Sequence, residues 1–162
     1  MTLIRFIHII SAIYWVGTTL FLVLFIEPTV RKLGPDGGKF MQRLVGHTRF
    51  SLSMTAAGLT TIVAGILLYG PVTGGWSTDI IFGARLPLTL GAMAGIASGV
   101  VGSAVQGRAS GKLMVLGKAI AQQGAPPSAD QSAEMGRLQS TLRQGSYWTA
   151  ALMVLAVIGM TW

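Results

Sequence analysis

The chain has 162 residues, 51% of them hydrophobic and only 10% charged, with a formal charge of +7 and no cysteine. Soluble domains carry about 25% charged residues, so this composition leaves too little polar surface to meet water on every side. The absent cysteines exclude disulfides, thiolate metal sites and cysteine nucleophiles, and no glycine-rich phosphate loop or aromatic-interleaved basic module points to nucleic acid.

Four stretches, at about 3–26, 50–70, 86–106 and 144–162, are long enough to cross roughly 30 Å of hydrocarbon at about 1.5 Å per residue. The last three contain no charged residue, and the first holds only Arg5 and His8. The expectation is a single all-α domain: an integral membrane four-helix up-down bundle with the bilayer as its partner. A cleaved signal peptide is excluded as a reading of the first stretch, because its apolar run is too long and Glu27-Pro28 follows it. Ten Lys and Arg residues lie in the segments between spans one and two and between spans three and four, against Arg5 and Arg85 on the other side. That asymmetry places the basic segments in the cytoplasm and both termini outside, and the positive charge faces lipid headgroups.

The first helix runs from Leu3 to about Leu33, with a bend expected where Pro28 removes a backbone donor. Its one polar face reads Arg5, His8, Ser11, Ala12, Trp15, Thr18 and Thr19. Polar groups within a bilayer turn toward the bundle interior, so His8 is expected inside. The Gly34-Pro35-Asp36-Gly37-Gly38 turn follows. Phe40, Met41, Leu44 and Val45 then open a second helix that continues into the bilayer near Phe50. Glu27 is expected beside Arg43, His47 and Arg49 at the cytoplasmic rim, and His47 is a solvated interface residue, a second ligand or a headgroup contact.

The glycine-rich loop from Gly70 to Arg85 places Trp76 at an interface. The third helix starts near Pro87 and runs past the membrane to about Gln123, where Gly124-Ala125-Pro126-Pro127 stops it. Ser128 with Gln131 spells a capping box for the fourth helix. Both helices extend some 20–30 Å into the cytoplasm as an amphipathic hairpin, with Met135, Leu138 and Leu142 packing on helix three.

The stretch GAMAGIASGVVGSAVQGRASG, residues 91–111, has a small residue at every fourth place. Gly91, Gly95, Gly99 and Ser103 are therefore a candidate face for a second copy or a membrane-complex partner. Aligning the helices by depth brings Gly65, Gly91 and Gly159 to the level of His8. Two readings stay open at that level. The glycines make room for a planar group such as haem b, lined by Ser11 and Trp15, with His8 as axial ligand and Met93 or Met160 as a second metal ligand. Alternatively the glycines let helices pack closely, and His8 bonds a serine or threonine across the bundle.

Residues 5–33, RFIHIISAIYWVGTTLFLVLFIEPTVRKL, resemble the first span of small membrane proteins related to CopD and HemJ. The resemblance is carried by His8, Trp15-Val16-Gly17 and Pro28 with Arg31 and Lys32. Residues 48–70 are similar to the second span of that group, and residues 124–145 to loops of its uncharacterised branch. The HemJ side implies haem binding and oxidation of protoporphyrinogen; the CopD side implies copper movement across the bacterial inner membrane. Only His8 carries over, as a haem ligand. The leading expectation is a haem b protein of the bacterial inner membrane serving electron transfer or oxidation. A non-catalytic subunit and a copper-handling protein are the alternatives.

Overall fold

A computed structural model describes residues 1–161, and within them the chain is helical with no strand. The helices are α1 (Thr2–Lys32), α2 (Pro35–His47), α3 (Phe50–Val72), the short α4 (Thr78–Ile81), α5 (Leu86–Gln123) and α6 (Ala129–Met160). Three of them, α1, α3 and α5, are long and apolar enough to cross a membrane. The fourth expected span falls in the second half of α6, a 32-residue helix with a polar first half that, unlike the other three, is not apolar enough over a membrane-length window to count among them.

The side chains are distributed inside out relative to a soluble protein. Ile13, Leu59, Met93 and Trp148 are each 60–67% exposed. The buried positions are mostly small or hydroxylated: Thr19, Gly58, Thr61, Ala64, Gly91, Ser98, Gly145, Thr149, Ala150, Ala156 and Gly159. Lipid tails are as apolar as leucine, so large apolar groups gain little by turning inward, and small residues let backbones meet. This distribution is compatible with contact to a lipid bilayer.

Two antiparallel pairs form the core. In the first, Tyr14 meets Ser53, Trp15 meets Gly58, and His8 meets Thr61 and Gly65 along α1 and α3. In the second, Gly91 meets Gly159 and Gln106 meets Gly145 and Thr149 along α5 and α6. The pairs are joined where Ile62 and Trp15 reach Gly99, and where Tyr69 Oη lies 2.7 Å from Thr89 Oγ1.

Proline does not break α1. A widened π turn at Leu22–Ile26, closed by Glu27 N–H donating to Leu22 O, precedes Pro28 and absorbs its missing donor. A second π turn, Val101–Gly107, lies in α5, and α6 runs past both.

The chain between α1 and α3 departs from expectation. The helix does not run unbroken from Phe40 into the second span; extended Thr48 (φ −119°, ψ 169°) separates α2 from α3. The Thr48 hydroxyl accepts the Phe50 N–H at 3.1 Å and so serves as a local cap for the new helix. At the far end of α5, Gly124 takes the left-handed conformation (φ 63°) that ends a helix without a Cβ clash. Ser128 and Gln131 then form the reciprocal capping box. Reciprocal hydrogen bonds of 2.9 and 3.1 Å between the side-chain amides of Gln123 and Gln131 close the hairpin, in which Leu138 is buried and Met135 and Leu142 are half-buried.

Candidate functional site

The polar face of α1 lies in the α1–α3 seam. His8 Nδ1 is 2.8 Å from the carbonyl oxygen of Thr61. A carbonyl only accepts, so Nδ1 carries the proton and Nε2 is the ring nitrogen left over. Thr61 is buried; its hydroxyl sits 3.0 Å from Ser11 Oγ and 2.8 Å from Ala57 O, and Ser11 donates to Ile7 O at 2.7 Å. These hydroxyls satisfy themselves locally, as serine and threonine in an apolar helix must. No buried side-chain nitrogen or oxygen among the described residues lacks a partner.

The glycines expected to open a gap at this level are closed by protein atoms. A Cβ on Gly65 would stand 3.0 Å from His8 Cε1 and 3.4 Å from Nδ1, so the space beside Gly65 holds the imidazole itself. A Cβ on Gly159 would lie 2.6 Å from Gly91 Cα and from Pro87 O, and one on Gly91 would lie 2.9 Å from Ala156 O. There α5 and α6 touch backbone to backbone. Trp15 is about two turns further along α1, its ring edge 3.0 Å from a Cβ on Gly58. Of the candidate second ligands, Met93 is 62% exposed on the outer surface. The Met160 methyl lies 4.0 Å from a Cβ on Gly95, in the α5–α6 seam and not that of His8. No cluster of three or more His, Cys, Asp or Glu residues able to hold a metal forms among the described residues.

His8 is thus held by its Nδ1 on the Thr61 carbonyl. The cradle expected for haem does not fit, because Gly65, Gly91 and Gly159 enclose no flat gap. The small-residue stripe is likewise taken up within the chain: Gly91 and Gly95 meet α6, and Gly99 meets Ile62 and Trp15. Further along the stripe Ser103, Gly107 and Gly111 are exposed, the Ser103 hydroxyl donating to Gly99 O at 2.9 Å.

A second polar cluster, absent from the sequence reading, forms toward the basic end. Gln106 Nε2 donates to the buried Thr149 Oγ1 at 2.7 Å, and Ser146 Oγ donates to Gln106 Oε1 at 3.4 Å. Gly145 makes way for the Gln106 stem, whose Cγ would be 3.0 Å from a Cβ there. The available signal was an amide at the end of one apolar run opposite the Gly145-Ser146-Thr149 trio. Glu27 is within electrostatic reach of Arg143 on α6 and of Arg31 on its own helix. His47 is exposed at the end of α2.

At the loop end, Trp76 adopts a left-handed backbone (φ 70°), rare for a bulky residue. Its ring packs against Tyr69 at a tilt of 54°, centroids 5.1 Å apart, and covers Gly70, where a Cβ would come within 2.9 Å of the indole nitrogen. Outside the spans, the bidentate Arg137 guanidinium, both contacts 2.7 Å, holds the Glu134 carboxyl below the usual carboxylate range. Comparison with known protein families, with characterised proteins and with solved structures finds no match for this chain.

Proposed function

We propose that the chain is a non-catalytic integral membrane protein, a structural or accessory component built as a four-helix up-down bundle. On this reading it lies in the bacterial inner membrane with both termini periplasmic and its ten-cation end in the cytoplasm. The observation that carries the reading is the occupied seam: His8 ties α1 to the Thr61 carbonyl and fills the space beside Gly65. The contact of Gly91 with Gly159 supports it from the other pair. A histidine used this way fixes the register of two helices. Removing it from an intact detergent-solubilised protein should lower the unfolding midpoint without abolishing any chromophore. A His8→Ala variant as stable as the parent overturns the proposal.

A second reading is favoured by one specific observation. Nδ1 donates to a carbonyl, so in the neutral ring Nε2 presents an unshared lone pair, as an axial haem ligand does. Gly65 and the Gly91–Gly159 contact leave no room for haem b in this arrangement, so a haem on His8 would require the helices to part. Absorption near the haem Soret region separates the two readings.

A further inference from the structure

Helix α2 carries Phe40, Met41, Leu44 and Val45 on one side, edged by Lys39, Arg43 and His47 at successive four-residue steps. Its start is tied down, with Gly37 buried against the Val30 carbonyl. Beyond that point the apolar side is incompletely covered: Phe40 is 47% exposed, and Met41, Leu44 and Val45 are half-buried. Both ends of α2 join helices able to cross a membrane. Gly34 (φ 57°) turns the chain out of α1, and extended Thr48 turns it into α3. The helix is thus held at the level where two spans end. Asp36, the one acid of the segment, pairs with Lys39 at 2.9 Å. Arg43 and Arg49 have no ion-pair partner among the described residues.

We infer that α2 is an interfacial helix that docks on anionic phospholipid, an inference that rests on the membrane placement proposed above. Its apolar side enters the headgroup–acyl boundary while Arg43, Arg49 and the neighbouring Arg31 and Lys32 meet lipid phosphates. Charge complementarity and continuity with the membrane-spanning helices select this occupant over a protein partner.

The test uses the full chain, which has no cysteine of its own, reconstituted in phosphatidylcholine vesicles with and without phosphatidylglycerol. A small apolar fluorophore is attached through Phe40→Cys, and in a parallel sample through Gln42→Cys on the opposite side. The label at position 40 should be blue-shifted and shielded from iodide in the anionic vesicles. Neutral lipid or high salt should expose it, while the label at 42 stays accessible throughout. Arg43→Gln and Arg49→Gln should each shift the docking equilibrium by about fivefold toward exposure. Equal accessibility at position 40 in both lipids, in protein that floats with the vesicles, overturns the inference and leaves the membrane reading intact. Protein that does not float with the vesicles overturns both.

Discussion

The backbone carbonyl of Thr61 accepts the Nδ1–H of His8 across 2.8 Å, while the glycine one turn further along α3 leaves room for the ring. One imidazole thereby supplies both a polar tie and a space-filling wedge between two membrane-type helices.

Hydrogen bonds between such helices contribute on average about 0.6 kcal/mol and at most about 1.7. His8→Ala loses that bond and the packing on Gly65, so its unfolding free energy should fall by about 1–2 kcal/mol. Denaturant titration in detergent, followed by circular dichroism, measures the change.

Gly159→Ala places a Cβ 2.6 Å from Gly91 Cα and Pro87 O. Both are backbone atoms and cannot swing aside, so α5 and α6 must part at a cost of about 1–3 kcal/mol. Gly17 has no neighbouring atom within 4 Å of its would-be Cβ; Gly17→Ala should stabilise by up to about 1 kcal/mol through helix propensity. Opposite signs for two Gly→Ala changes in one unfolding assay would show that contact, not propensity, sets the outcome.

The bond from Gln106 to Thr149 predicts coupling between them. A double-mutant cycle of Gln106→Leu and Thr149→Val should give an interaction energy of about 0.5–1.5 kcal/mol, with the double variant less harmed than the sum of the singles. Additive effects would show that the amide does not bind α5 to α6.

The pair Glu134–Arg137 carries a pH signature. The carboxyl is held down in the folded chain, chiefly by the hydrogen bond from Arg137. Its contribution to hairpin stability is therefore present above the unfolded carboxylate value of about 4.3 and is lost as pH falls through the lower folded value. A carboxyl NMR titration should find Glu134 below that reference, and Arg137→Gln should move it upward. Both groups are solvent-exposed, so the effect on stability is small.

Much of the architecture was legible because it is written in composition and punctuation. Long uncharged runs mark the membrane-type helices, Gly124 ends α5, and Ser128 with Gln131 opens α6. The break at Thr48 was not legible, since Phe40 to Val45 and the residues after Phe50 share one helical periodicity, no proline separates them, and Gly46 stays inside α2 instead of ending it. The inward direction of His8 followed from its polar face. What lay opposite did not, because glycine has the same signature beside a cofactor and beside another helix; only partner coordinates tell them apart. Gln106 was overlooked for a related reason. At the end of an apolar run an amide reads as a boundary, and its partner is forty residues on along the chain.

The central claim is that Gly65 beside His8, and the Gly91–Gly159 pair in the other seam, mark contact between helices and not a cofactor pocket. The most direct measurement is the visible absorption spectrum of protein purified from membranes of haem-replete cells, with His8→Ala alongside. The account predicts no Soret band that depends on His8. A Soret band present in the parent protein and lost in His8→Ala would contradict it.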